Sequence, residues 1–200
     1  FNNHYQLTQS KIRKMYNAFW EKWALTNCDY VTVVTQKILD DIEQEYGLHK
    51  KVKVIPNGFE RRLYANKSAD SAVNDKFTFC YAGAVFDIRH RMYNPQKLLQ
   101  AFAILKKQYH KKFRLIALGE FSQDTERYIE KLELTEEIIL KGYCSHEIVR
   151  ETEGSADAFV QFLYPVNMNN ALPLKCFEYA QFKKPILSMS ATPSEISQWL

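Results

Sequence analysis

Cysteine is scarce in this chain and never stands in metal-binding order. Cys28, Cys80, Cys144 and Cys176 form no Cys-x-x-Cys pair and no Cys/His set with ligand spacing, so a metal centre of that kind is not expected. Most stand beside apolar residues and read as small buried thiols, which fits a reducing compartment. The five histidines, His4, His49, His90, His110 and His146, are scattered. No Ser/His/Asp or Cys/His order suggests a nucleophilic triad. No run is long and apolar enough for a transmembrane helix, and no signal peptide is visible. Charge of either sign is not in large excess: Lys+Arg 27 against Asp+Glu 23 leaves +4. With no basic stripe interleaved with aromatics, nucleic acid is a poor partner. Internal repeats and low-complexity segments are absent. So is a GxGxxG or Walker A loop, and the glycine loop at Gly83 matches neither.

What is present is ordinary globular material. The 200 residues are 46% hydrophobic and 25% charged, enough for a buried core. The chain starts at Phe1 rather than a methionine and reads as a piece of a longer protein. Thr8 to Leu25 predicts an amphipathic helix with Ile12, Met15, Tyr16, Phe19, Trp20 and Trp23 on one face. Lys11, Arg13, Lys14 and Lys22 lie on the others. Such a face can rest on a membrane, but docking on protein is the expectation. Tyr30–Val34 reads as a strand. Thr35 caps a helix over 36–46 with Gly47 as its C′ residue, and 52–55 is a second strand that stops at Pro56-Asn57-Gly58.

Residues 59–76 form the expected linker, dividing a first part (1–58) from a second (77–200). In the second part strands and helices alternate. Strands are expected at 77–82, 113–118, 138–140, 158–164 and 186–189, with a turn at 83–85. Helices are expected from Asn94-Pro95, from Ser122 or Thr125, from Ser145 and from Pro193. This pattern predicts an α/β class: a Rossmann-like parallel sheet with helices on both faces. Ligands of such sheets bind beyond the carboxyl ends of the strands. Gly83, Gly119 and Gly142 stand at strand ends, where glycine lets a ligand approach the backbone or simply makes a tight turn.

The stretch 169–185 reads as a loop, a helix and the entry to a strand. Its helix start offers backbone N–H groups and the positive end of a dipole, with Lys175 early and Glu178 one turn further in. Phosphate suits the first and ribose hydroxyls suit the second. The plain alternative is an i,i+3 salt bridge on a surface helix.

Four stretches in this order resemble the family 4 type of GT-B glycosyltransferases, the group 1 transferases. Asn27–Thr35 resembles the last strand of the family's N-terminal domain and the helix start after it. Val52-Lys53-Val54-Ile55-Pro56-Asn57-Gly58-Phe59 resembles the hinge signature. Phe79-Cys80-Tyr81-Ala82-Gly83 resembles the first strand and glycine loop of the donor domain. Asn170-Ala171-Leu172-Pro173-Leu174-Lys175-Cys176-Phe177-Glu178-Tyr179 resembles a variant of the donor motif. The resemblance runs from about Cys28 to Pro185 and implies the C-terminal half of a GT-B fold with the tail of the N-terminal domain.

That resemblance implies transfer of a sugar, with retention, from a nucleotide-diphosphate donor to an acceptor hydroxyl, with no cofactor. It implies Glu178 at the donor ribose, and Leu174 and Lys175 at the phosphates, with Glu178 and Lys175 as the catalytic candidates. The family motif has two glutamates separated by seven residues. Asn170 stands where the first would be, and can hydrogen-bond a sugar but supplies no carboxylate. Gly83 belongs to the phosphate loop, where Ala84 replaces the usual Arg and Arg89 or Arg91 takes over neutralisation. Tyr143 and Cys144 sit where the family packs the nucleobase. The partners implied are the nucleotide-sugar donor, a saccharide or lipid-linked acceptor and a missing N-terminal domain. The implied setting is polysaccharide assembly in the cytoplasm or peripherally at the inner membrane face. As a donor-binding half the chain is expected to bind nucleotide and turn over little alone. A GT-B sugar-nucleotide epimerase and a non-catalytic nucleotide-binding Rossmann module are the alternatives.

Overall fold

The structure, a computed structural model, describes residues 10–48, 51–59, 76–90, 94–109, 112–163, 170–190 and 192–200. The described chain falls into two compact units. Residues 170–172 and 192–199 group with the N-terminal unit, and the remaining described residues after Asn57 form the other. The expected linker falls almost wholly outside the described residues.

The first unit holds helix α1 (Lys11–Asn27), strand β1 (Val31–Val33), helix α2 (Gln36–Tyr46), strand β2 (Val52–Val54) and a last helix, Glu195–Trp199. β1 and β2 pair in parallel. Thr35 caps α2 as its sequence predicts: its hydroxyl accepts from Ile38 N–H, and Gly47 ends the helix at φ 68°. Val33, Ile42 and Val52 make a small core. The amphipathic helix forms as α1, and its aromatic face is uncovered among the described residues. None of its residues is buried, and Ile12, Met15, Phe19 and Trp23 are more than half exposed. The aromatic face does not dock within the described residues. Its rings contact one another instead, Trp20 lying 5.6 Å from both Phe19 and Trp23.

The second unit is a five-stranded parallel sheet in the order β5-β4-β3-β6-β7. Its elements are β3 (Phe77–Val85), α3 (Gln96–Tyr109), β4 (Phe113–Glu120), α4 (Gln123–Lys131), β5 (Ile138–Gly142), α5 (His146–Ser155), β6 (Ala158–Leu163), α6 (Leu174–Ala180) and β7 (Ile186–Ser190); the last helix of the first unit is α7. This is the Rossmann-like α/β arrangement expected from the alternation. One boundary differs. β3 does not turn at Gly83 but runs on to Val85 through an irregularity, so that Val85 pairs with Glu120.

Alternation along each strand divides the core between two faces. Tyr81, Leu115, Val160 and Phe162 join Leu98, Leu99 and Phe102 of α3 and Ile129 of α4. Cys80, Ile116, Leu118 and Phe159 join Tyr179 of α6 and Val149 of α5 on the opposite face. Both faces are therefore covered, which is why the strands read as near-continuous apolar runs. The strand order reverses between β3 and β6, and that is the switch point where open parallel sheets bind ligands.

Tyr179 anchors α6 at that point. Its ring stacks on Phe159 at 4.3 Å, its hydroxyl accepts from Ala82 N–H at 2.9 Å, and it donates to Ala82 C=O at 3.3 Å. With no surface exposed, loss of the hydroxyl in Tyr179→Phe removes the partner that the Ala82 N–H and C=O share. Urea denaturation is expected to show a loss of about 1–3 kcal/mol, and an unchanged midpoint would mean that the bridge is dispensable.

Candidate functional site

A cleft of ≈ 730 Å³ opens at the carboxyl ends of β3, β4 and β5, within the size range of small-molecule sites. β3 contributes Ala82, Gly83 and Ala84, and β4 contributes Leu118 and Gly119. Tyr143 and Cys144 follow β5. His146, Val149, Arg150 and Glu153 line it from α5, and Glu178 from α6. The α5 residues are one face of a helix, at spacings of three, four and seven. Ser145 starts that helix by accepting from Ile148 N–H.

Two glycines shape the floor. At Gly83 an added Cβ would lie 2.5 Å from the Tyr81 hydroxyl and 2.6 Å from Lys175 Nζ. Gly119 has φ +134°, and a Cβ there would lie 2.1 Å from the Gly83 carbonyl oxygen. The ends of β3 and β4 thus approach more closely than any side chain allows.

Lys175 and Glu178 belong to one turn of α6. The Lys175 ammonium stands 4.2 Å from the centroid of the Tyr81 ring, a cation–π contact. Tyr81 is itself fixed by stacking on Phe162 at 4.5 Å and by a 2.7 Å hydrogen bond from its hydroxyl to the Val85 carbonyl. Burial brings the Lys175 pKa down to about 8, against the opposing pull of Cys176, Glu178 and Glu153. The ammonium is poorly solvated and poised beside the glycine loop, which suits capture of an anion. Leu174, the first residue of α6, is half exposed.

Glu153 was not among the residues that the sequence singled out. It is 1% exposed, and neither carboxylate oxygen has a hydrogen-bond partner. Burial pushes its pKa up to about 8, with Glu178 adding to the rise and Arg150 and Lys175 opposing it. The available signal was its place on the inward face of α5, beside the buried Thr152.

The cleft brings together five of the sequence candidates. Gly83, Tyr143, Cys144 and Glu178 line it, and Lys175 touches it through the space that a Gly83 side chain would fill. Tyr143 is 77% exposed, an open aromatic surface at its edge. Arg89 is not among the lining residues. It forms ion pairs with Asp87 (3.5 Å) and Asp124 (3.6 Å). Burial works against the Asp87 charge, yet donors from Arg89, Ser122 and Thr125 hold its carboxyl below the usual range. Arg91 lies outside the described residues. Asn170 belongs to the first unit, where its carbonyl accepts from the Thr35 hydroxyl at 2.9 Å and its amide donates to Asp41 at 3.3 Å. His146 also lines the cleft.

All four cysteines are free. Among the described residues no group of three or more His, Cys, Asp or Glu could hold a metal ion, and no helix is long and apolar enough to cross a membrane.

The fold has relatives among solved structures. The lipopolysaccharide outer core galactosyltransferase WaaB in its apo form superposes with a TM-score of 0.59 at 17% identity, over 84% of this chain and 45% of that one. A mutant of S. aureus TarM, in complex with fondaparinux, alpha-GlcNAc-glycerol and UDP, gives 0.66 at 15% identity, over 88% and 34%. HepE from Anabaena, in complex with UDP and glucose, gives 0.59 at 18%, over 86% and 47%. The chain therefore spans less than half the length of these structures. No curated protein matches it. The family model described as Glycosyltransferase Family 4 matches residues 1–62. The model described as Glycosyl transferases group 1 matches residues 65–195, more than half of the chain, and the chain belongs to that family.

Proposed function

We propose that this chain is the donor-binding part of a glycosyltransferase, and that its cleft holds a nucleoside-diphosphate sugar. The observation that carries this reading is the convergence of Lys175, Glu178, Gly83 and an open Tyr143 on one cleft at the carboxyl ends of the strands, beside the switch point of the sheet. In this reading the base lies against Tyr143 and Cys144, the Glu178 carboxylate accepts from ribose hydroxyls, and Lys175 with the Leu174 segment faces the diphosphate. The structures of TarM and HepE obtained with UDP support a nucleotide ligand for this fold.

The chemistry asked of these residues is leaving-group stabilisation. As the sugar–phosphate bond breaks, the nucleoside diphosphate gains charge, and a prepositioned, weakly hydrated ammonium favours that state over the ground state. The acceptor hydroxyl, and retention of configuration during hexosyl transfer, are assigned to the complete enzyme. So is an N-terminal domain completing the site. The exposed aromatic face of α1 is a candidate contact for that domain or for a peripheral membrane surface.

Calorimetry with UDP-, GDP-, ADP- and TDP-linked sugars tests the proposal. At least one is expected to bind, with little or no transfer by the chain alone; no heat from any of them would overturn it. Glu178→Ala is expected to weaken the ligand that binds by about 1–3 kcal/mol. Unaltered affinity would return Glu178 to the role of a surface residue.

A further inference from the structure

The least explained group in the cleft is Glu153. A buried carboxyl without a hydrogen bond is costly, and native proteins keep few of them. Here it is 1% exposed, both oxygens are unpartnered, and it lines the ligand cleft rather than a closed core. An apolar side chain of similar volume would satisfy the packing of α5 on the sheet without that cost. We propose that Glu153 is a specificity-determining, ligand-binding side chain whose carboxyl pairs with the polar edge of a nucleobase lying against Tyr143. This rests on reading the cleft as a nucleotide site.

Position decides for the base rather than the ribose. Glu153 belongs to the α5 face that starts next to Tyr143 and Cys144 and continues through His146, Val149 and Arg150. Glu178 enters from a different helix and, in that same reading, meets the ribose hydroxyls. The carboxyl belongs to the wall of that cleft. Its raised pKa of about 8 means that at neutral pH it carries a proton and presents one donor and one acceptor side by side. An N–H next to a C=O complements that pair, and uracil and guanine both display this edge. A bound base removes the unsatisfied polar atoms that the carboxyl otherwise leaves in the protein.

The test is calorimetry on the full chain with three probes: UDP, UDP methylated on its imide nitrogen, and ribose 5-phosphate, with GDP as a second base. The parent protein is expected to bind methylated UDP at least about tenfold more weakly than UDP, the scale of one lost buried hydrogen bond. Glu153→Leu is expected to weaken UDP or GDP by a similar factor, leave ribose 5-phosphate unchanged, and bind both forms of UDP alike. Glu153→Gln, a neutral donor–acceptor pair, is expected to restore binding. Equal affinity of the parent protein for UDP and methylated UDP overturns the inference without any variant. So does a Glu153→Leu protein that binds as the parent does while Glu178→Ala is weakened; in that case the cleft remains a nucleotide site and Glu153 alone is structural. A Glu153→Leu protein weakened equally toward ribose 5-phosphate also contradicts base reading. If no probe binds the parent protein this inference falls, while the nucleotide reading is decided by the panel that also holds the ADP- and TDP-linked sugars.

Discussion

Gly119→Ala is expected to cost about 4 kcal/mol or more of stability, or to prevent folding. Two independent effects add. The backbone at φ +134° is a region that L side chains avoid, and holding one there costs on the order of 1–3 kcal/mol. The new methyl would also stand 2.1 Å from the Gly83 carbonyl, far inside van der Waals contact. Relief requires moving the end of β3 away from β4, and this opens the irregularity that lets Val85 pair with Glu120. The same movement disturbs the floor of the cleft, so nucleotide affinity is expected to fall with stability. Gly154 is an internal control: nothing lies within 4 Å of a Cβ added there, and Gly154→Ala in the last turn of α5 is expected to be neutral or mildly stabilising. Chemical denaturation of both variants decides the matter. A Gly119→Ala protein as stable as its parent would mean that the two strand ends do not approach as described.

The second large effect is on ligand binding. Lys175→Met keeps an aliphatic stem over the Tyr81 ring and removes the charge. Affinity for a nucleoside diphosphate is expected to fall by about 1.5–3 kcal/mol, the range of hydrogen bonds to charged groups. Stability is not expected to fall with it, because burial penalises the ammonium. The sign follows from the direction of the shift. The Lys175 pKa in the folded protein, about 8, lies below its ordinary 10.5, so between these values the unfolded chain holds the proton that the folded chain has released. Lys175 therefore makes stability rise as pH increases through that window, with its full penalty below it. Ligand affinity moves the other way and declines as Lys175 loses its charge. Glu153 gives the opposite stability slope at lower pH. Its folded pKa of about 8 lies above the ordinary 4.5, so its contribution is lost as pH rises between them. In Lys175→Met the alkaline rise in stability should vanish while the slope due to Glu153 remains. Affinity unchanged by the substitution would remove Lys175 from the ligand site.

Much of this is legible in the sequence. The parallel sheet follows from strands and helices in alternation. The caps at Thr35, Ser122 and Ser145 follow from short hydroxyl side chains before helical runs, each accepting from an N–H three residues on. Lys175 and Glu178 could be singled out because they share a short segment. What the sequence concealed depends on approach through space. The turn read at Gly83 is a strand that continues past an irregularity, because its end pairs with residues more than thirty positions away. Arg89 looked available for an anion, yet Asp124, thirty-five residues later, helps to hold it. Glu153 reads as one more charge in a polar helix until Glu178 and the sheet face it. The α1 face reads as core by periodicity, but periodicity does not say which body covers it.

A nucleoside diphosphate is expected in the cleft between the glycine ends of β3 and β4, the open face of Tyr143 and the Lys175–Glu178 turn of α6. A crystal structure of the chain soaked with UDP or GDP would show it. The ribose is expected within hydrogen-bond reach of Glu178 and the diphosphate beside Lys175 and Gly83. A nucleotide bound elsewhere on the chain, with these residues untouched, would contradict it.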